Sequence, residues 1–244
     1  MAKFNLTVDS FGITQTRSKH EDTNFIGLTW KPGSLGATTV FQPLGNVNNG
    51  THSVNLSLSG IDINQDDSFV FNYIIVNAGS ANSDEVRAAL EAVGAAWANG
   101  GGPPAPPLTS ADGIDTDYLV AQLNGIFRST CDGIVAAEQN HLTYGQLPIA
   151  HQTPQPGTHS PSGCGNNSQY TVHWHIANAL LMPDVTSQSP AQAAATLRSL
   201  GFTNVTESGT GMYLVGQTTD IGQAPGSYVD VGEKIILSLS KTPR

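Results

Sequence analysis

Apolar and polar residues alternate along much of the first 80 residues of the chain. Apolar side chains recur at every second position in residues 4–8, 26–30 and 54–58, which is the period of a strand with one buried face. Residues 68–77 are apolar on both faces, as expected of a strand in the middle of a sheet. Turn-forming residues separate these stretches, so the pattern predicts a β-sandwich or a jelly roll.

Two later stretches have the period of a helix. The first begins at Ser83, which we expect to be its N-cap, and ends at Asn99 before a run of glycines. Its apolar stripe consists of Val86, Leu90, Val93 and Trp97. The second lies within residues 112–130 and has the stripe Leu119, Leu123 and Phe127. Residues 139–169 show no period and predict ordered loop, whereas residues 170–176 predict a strand.

Shifts in composition divide the chain into four predicted segments. Residues 1–99 form a β-sandwich-like domain that ends in a helix, and residues 100–110 form a linker rich in glycine and proline. Residues 111–180 contain a helix, long loops and a strand, and they either fold separately or complete the sandwich. Residues 181–244 form a small module, so the predicted fold class is mainly β with an α+β part.

The last segment has the pattern of one helix packed on a small sheet. Ser189 is a good N-cap, Pro190 fits the first helical position and Gly201 is a good helix end. We expect the buried face of this helix to consist of Ala193, Leu197 and Leu200.

Five short motifs follow one another in this segment: MPDV (182–185), LGF (200–202), QAPG (223–226), VG (231–232) and LSLS (237–240). In this order and spacing they resemble a PASTA domain over about residues 181–241. Two features depart from the usual pattern. The QAPG turn is short, and the chain has a single copy rather than a tandem array.

The resemblance implies a bacterial cell-surface setting, because PASTA modules are typical of the outer parts of penicillin-binding proteins and Ser/Thr kinases. It also implies peptidoglycan or another glycan as a candidate partner. Motifs of the attached enzymes are missing, since the sequence has neither a glycine-rich phosphate loop nor Ser-x-x-Lys followed by Lys-Thr-Gly.

Charge and hydropathy narrow the choice of partners. Lys and Arg number 10 against 19 Asp and Glu, which gives a net charge of −9 and argues against nucleic acid and anionic lipid. No apolar run reaches about 18 residues, so we expect no transmembrane segment. No signal peptide is visible at the start of this chain.

The sequence contains two cysteines, Cys131 and Cys164. They are either two separate thiols or one disulfide formed in an oxidising compartment. Two cysteines are too few for a four-thiolate zinc site.

His173 and His175 are two positions apart in the predicted strand 170–176 and therefore share one face. Two neighbouring imidazoles can begin a divalent metal site. The alternative is that they lie on the polar face of a sheet whose buried face consists of Tyr170, Val172, Trp174 and Ile176. Further histidines precede this strand and could fold over the same face: His141, His151 and His159.

Two other patterns bear on function. Residues 19–22 (KHED) place a histidine beside two carboxylates, which suits either acid–base chemistry or a solvated turn. Five Asn-x-Ser/Thr sequons begin at Asn5, Asn49, Asn55, Asn166 and Asn204, although several are expected by chance in a chain of this composition.

Together these observations favour a non-catalytic, extracellular or cell-surface protein of bacteria. In this reading the β-rich region serves recognition or self-assembly into a homo-oligomer, and the PASTA-like module is an anchor or packing unit. One alternative is a peptidoglycan- or glycan-binding module. The other is a metal-dependent enzyme that uses His173 and His175, with a divalent metal as its cofactor.

Overall fold

The computed structural model describes residues 2–19, 21–33, 35–101, 117–156, 162–165, 167–208, 218–220 and 223–239. About half of the described residues lie in strands, and this mainly β structure confirms the predicted fold class. The strands are β1 (Ala2–Gln15), β2 (Asp22–Pro32), β3 (Thr38–Val47), β4 (Gly50–Ile63), β5 (Ser68–Asn77), β6 (Gly133–Thr143), β7 (Ile149–Pro156), β8 (Gln169–Leu181), β9 (Val205–Ser208), β10 (Thr218–Asp220), β11 (Tyr228–Asp230) and β12 (Ile235–Leu239). The helices are α1 (Ser83–Ala98), α2 (Asp117–Leu123) and α3 (Pro190–Leu200), with a 3₁₀ turn at Tyr144–Gln146.

The chain divides into two compact units, each built from separate stretches of sequence. The central unit consists of Thr7–Leu58 and Asn64–His175. The terminal unit consists of Met1–Leu6, Ser59–Ile63 and Ile176–Arg244. Strands β1, β4 and β8 therefore contribute residues to both units.

The central unit is a β-sandwich. Its first sheet is antiparallel and has the strand order β3-β2-β5-β6. Its second sheet contains β8, β1 and β4 in this order, and β7 also pairs with β8. Phe71 of the first sheet meets Trp174 of the second edge to face, with ring centroids 4.6 Å apart. The main core of this unit therefore lies between the sheets.

Strand β8 has the alternation that the sequence predicts. Tyr170, Val172, Trp174 and Ile176 are buried, whereas Thr171, His173 and His175 are half-buried on the opposite face. The division into a core face and a polar face is confirmed.

The prediction of loop across residues 139–169 is wrong, because β6 runs to Thr143 and β7 spans Ile149–Pro156. Strand β6 is buried on both faces over most of its length, so no period of two appears in it. Its middle residues Glu138, Gln139 and Asn140 are buried although polar, and they gave this stretch the composition of a loop.

Helix α1 covers the outer face of the first sheet, but it begins one residue differently from the prediction. Asn82 is the N-cap, and its side chain accepts a hydrogen bond from the backbone N–H of Asp84, while Ser83 is the first helical residue. The predicted stripe is buried against the sheet at Val86, Leu90, Val93 and Trp97. At Gly94 a Cβ would lie 2.2 Å from Oγ1 of Thr29, so only glycine lets the helix approach this closely.

Helix α2 is shorter than the predicted stretch. It spans Asp117–Leu123 and buries Leu119 and Leu123, whereas Phe127 lies beyond its end and packs against the same core. Residues 112–116, and the predicted linker 100–110 from residue 102 onward, lie outside the described residues. The four predicted segments therefore stay predictions.

In the terminal unit, α3 packs on a three-stranded sheet of order β10-β12-β9, with β12 parallel to β9 and antiparallel to β10. Ser189 and Gln192 form a capping box at the start of α3, and Gly201 ends it with a φ of +110°. Both predicted helix ends are confirmed. The core contains Met182, Val185, Ala193, Ala194, Leu197, Phe202, Val229, Ile235 and Leu237.

One predicted core residue of α3 is on the surface. Leu200 is 49% exposed, and the third buried residue of α3, beside Ala193 and Leu197, is Ala194. Leu200 is the last residue of α3, directly before Gly201, and the helical period assigns a face without showing how far along the helix that face is covered. None of the helices in the described residues is long and apolar enough to cross a membrane.

Candidate functional site

Strand β11 and the turn before it bring two of the predicted motifs together in the terminal unit. Strand β11 pairs antiparallel with the end of β8, with Val229 opposite Leu180. The QAPG turn is fastened by two backbone hydrogen bonds of 2.8 Å, from the N–H of Met182 to the carbonyl of Ser227 and from the N–H of Gly226 to the carbonyl of Met182. The motifs at 182–185 and 223–226, which are about forty positions apart, are therefore neighbours in space.

The start of this region carries an ordered acidic turn. The side-chain hydroxyl and the backbone N–H of Thr186 both donate to Oδ1 of Asp184, at 2.6 and 3.0 Å. The hydroxyl bond, followed by the backbone bond, lowers the pKa of the exposed Asp184 carboxyl below its ordinary value. Asp184 is therefore charged at neutral pH and fixed in one orientation.

The central unit contains a buried carboxylate that sequence reasoning missed. Glu138 is 6% exposed, and its Oε2 accepts hydrogen bonds from the hydroxyl of Tyr73 at 2.8 Å and from the indole Nε1 of Trp174 at 3.2 Å. Burial, reinforced by the Glu138 charge, raises the pKa of Tyr73 well above its ordinary range. The available signal was a charged residue directly after the apolar run GIVAA (133–137).

His151 lies beside this carboxylate, and the geometry is not that of a catalytic triad. Its Nε2 is 3.8 Å from Oε1 of Glu138 and also pairs with the hydroxyl of Thr153. In a nucleophile–histidine–carboxylate triad, the hydroxyl and the carboxylate bind opposite ring nitrogens. Here both face the same nitrogen, so the carboxylate does not orient the imidazole toward the hydroxyl.

The two candidate metal ligands do not acquire a third ligand in the described part of the chain. Nδ1 of His175 is 2.9 Å from Oδ2 of Asp9 on β1, and His173 lies on the same face of β8. His151 packs against the ring of Trp174 at 5.3 Å, on the opposite face. Within the described ranges no group of at least three His, Cys, Asp or Glu side chains is placed to hold a metal. His159 lies outside those ranges, and metal binding by His173 and His175 stays a prediction.

The two cysteines are bonded to each other in the structure, which joins positions 33 residues apart. The carbonyl of Cys131 accepts hydrogen bonds from Nε of Arg17 at 2.9 Å and from Nδ2 of Asn77 at 3.1 Å. Burial lowers the pKa of the Arg17 guanidinium, while Asp22 and Asp132 oppose this effect. The bridge therefore sits in a buried polar network around Arg17.

Of the KHED cluster, Asp22 is the first residue of β2 and is not solvated. Asp22 is completely buried and accepts hydrogen bonds from the backbone N–H groups of Arg17 and Ser18 and from the hydroxyl of Tyr170. Burial, assisted by the Asp22 charge, raises the pKa of Tyr170. Asp22 thus holds the β1–β2 turn against β8, a structural role that leaves it no access to a substrate. His20 lies outside the described residues.

Comparison with known families identifies one part of the chain. Residues 181–241 match the sequence model of the PASTA domain, which confirms the predicted resemblance and its bounds. A comparison with curated proteins found no match to this chain. PASTA domains are typically extracellular or surface-associated and suggest a role at the cell wall.

Proposed function

We propose that this chain is a non-catalytic protein of the bacterial cell surface that binds the cell wall through its terminal unit. The observation that carries the proposal is the PASTA match at residues 181–241. It is supported by a folded core of nine buried residues, Met182 to Leu237, that belongs to this region. Peptidoglycan is the proposed ligand, because PASTA domains bind peptidoglycan and β-lactam-like molecules.

The bond between Cys131 and Cys164 supports a location outside the cytoplasm. Disulfides persist in oxidising compartments and are rare where glutathione and thioredoxin keep thiols reduced. The pair that forms this bond is the chain's whole cysteine content. An extracellular location is therefore consistent with both the covalent chemistry and the PASTA match.

The central unit is proposed to serve recognition or self-assembly. Strands β3 and β4 are the edge strands of its two sheets on one side, and edge strands can accept a further strand from another molecule.

The test is sedimentation of the purified chain with peptidoglycan sacculi, using two matched variants. Leu197→Ala removes a side chain that is fully buried in the terminal unit, and Leu90→Ala removes one that is 1% exposed in the central unit. Each substitution is expected to cost its own unit about 2–5 kcal/mol of unfolding free energy. We expect the wild type and Leu90→Ala to bind, and Leu197→Ala to bind severalfold less.

Cellulose particles serve as the control for general polysaccharide adhesion. Absence of wild-type binding to sacculi would contradict cell-wall binding. Equal loss of binding in both variants would contradict its assignment to the terminal unit.

A further inference from the structure

Asn5 on β1 is a buried amide whose side chain joins three strands of the terminal unit. It is 6% exposed, and its Nδ2 donates to the backbone carbonyl of Tyr228 at 3.1 Å and to Oδ1 of Asp230 at 2.8 Å. Its Oδ1 accepts from the backbone N–H of Gly60 at 3.0 Å. An amide offers two N–H donors and one carbonyl, so both parts of this side chain are engaged in holding β11 and β4.

Gly60 and Lys3 contact the ring of Tyr228. Gly60 has a φ of +69°, and a Cβ at this position would lie 2.3 Å from Cδ2 of Tyr228. Glycine is therefore required both by the backbone conformation and by the packed ring. On the other side, Nζ of Lys3 lies 5.4 Å from the ring centroid of Tyr228 and 2.7 Å from Oδ2 of Asp62.

We infer that residues 2–6 and 59–63 are an integral part of the fold of the PASTA-matching region in this chain, and that Asn5 is the positioning residue that holds β11 in place. The family match begins at residue 181, but the partners of β11 include side chains more than 160 positions earlier. The region is accordingly a fixed part of a larger unit and not a module that folds alone.

The test is hydrogen–deuterium exchange on the full chain with Asn5→Ala and the control Asn49→Ala. Asn49 is exposed in the β3–β4 turn, so its replacement is expected to change nothing. Loss of the buried hydrogen bonds of Asn5 is expected to speed exchange by about tenfold or more. The reporting amides are Gly226 and Val231, whose backbone bonds go to Met182 and Asn178. Unchanged exchange at these amides in Asn5→Ala would overturn the inference.

An exchange of the carboxylate and the amide between positions 5 and 230 gives a second test. If Asn5 contributed only by packing, the double variant would not restore slow exchange. Asn5→Asp places a carboxylate against the carbonyl of Tyr228 and the carboxylate of Asp230, so its effect is expected to exceed that of Asn5→Ala. Adding Asp230→Asn returns an N–H donor to the pair, and we expect exchange to slow again by about tenfold. Failure of this rescue would also overturn the inference.

If Asn5→Ala does not fold, Asp230→Ala removes one of the bonds and is expected to speed exchange at the same amides to a smaller extent. No change there would count against the role of Asn5. All readouts are made without ligand, so their outcome is independent of whether the chain binds peptidoglycan.

Discussion

The carboxyl group of Glu138 is buried inside the central sandwich, where two neutral donors satisfy it. Tyr73 and Trp174 both donate to one of its oxygens, and a buried carboxylate without such donors would cost several kcal/mol. The same arrangement disfavours ionisation of Tyr73, since a phenolate would stand beside the carboxylate in a site of low dielectric.

This coupling predicts a loss of stability at alkaline pH. The folded-state pKa of Tyr73 is raised, so the contribution of this group is fully present below the unfolded pKa of about 10 and falls as pH rises above it. Each such tyrosine is expected to lower the unfolding free energy by up to about 1.4 kcal/mol per pH unit in that range. Chemical denaturation at several pH values above about 10 should show that the unfolding free energy of Tyr73→Phe falls less steeply with pH than that of the wild type.

Phe69→Leu is the matched control, because it changes a buried aromatic side chain of the same strand without removing an ionisable group, and it should retain the wild-type decline in unfolding free energy. Tyr170, whose pKa is also raised, should add its own share, so the double variant with Tyr73 is expected to be the flattest. Identical slopes for all of these variants would contradict the account.

At the scale of elements, local sequence patterns located a helix or strand where a single feature, such as the strand period or a helix cap, defined it. The period of two located β1, β2 and β8, and the caps located both ends of α3. The same reasoning failed in β6, where buried polar residues stand in a strand with two covered faces. It also misplaced Leu200, because the helical period assigns a face but does not show whether the last turn of that face is covered.

The Cys131–Cys164 bond predicts a measurable contribution to stability at this scale. It closes a loop of 33 residues, and its loss is expected to cost about 3–4 kcal/mol of unfolding free energy on the loop-entropy estimate. Guanidinium unfolding of Cys131→Ser/Cys164→Ser should therefore have a lower midpoint than the wild type. Intact mass measured without reductant should be two hydrogens below the reduced mass, and equal masses would show that the bond is absent.

Sites assembled from distant parts of the chain could not be predicted from the sequence. The PASTA motifs all lie within one stretch of the chain, so their order and spacing could be recognised in the sequence. The Glu138 cluster draws on β5, β6, β7 and β8, and the partners of Asn5 are 223 and 225 positions away. Neither could be found from a pattern in one stretch, because only the pairing of strands brings these side chains together.

For the whole molecule, the proposal of self-assembly predicts a native size well above 25.5 kDa. Light scattering of the purified protein, with electron microscopy of the same sample, should detect regular assemblies. The same sample after reduction provides the control, because the disulfide lies inside one chain and is not expected to hold copies together. A uniform monomer would contradict self-assembly and leave cell-wall binding in place.

The 225 positions between Asn5 and Asp230 have a consequence for how the protein is made. A growing chain leaves the ribosome or an export pore with its earlier residues first, so Asn5 is in solvent long before Asp230 has been synthesised. Contacts of such long range also form late during folding. Strand β4 can pair with residues 2–6 early, but until β8 has also emerged the other edge of β1 is unpaired and open to association with other chains. Synthesis of this protein therefore includes an interval in which association is possible, and the contacts of Asn5 are complete only after residues 228–230 have emerged.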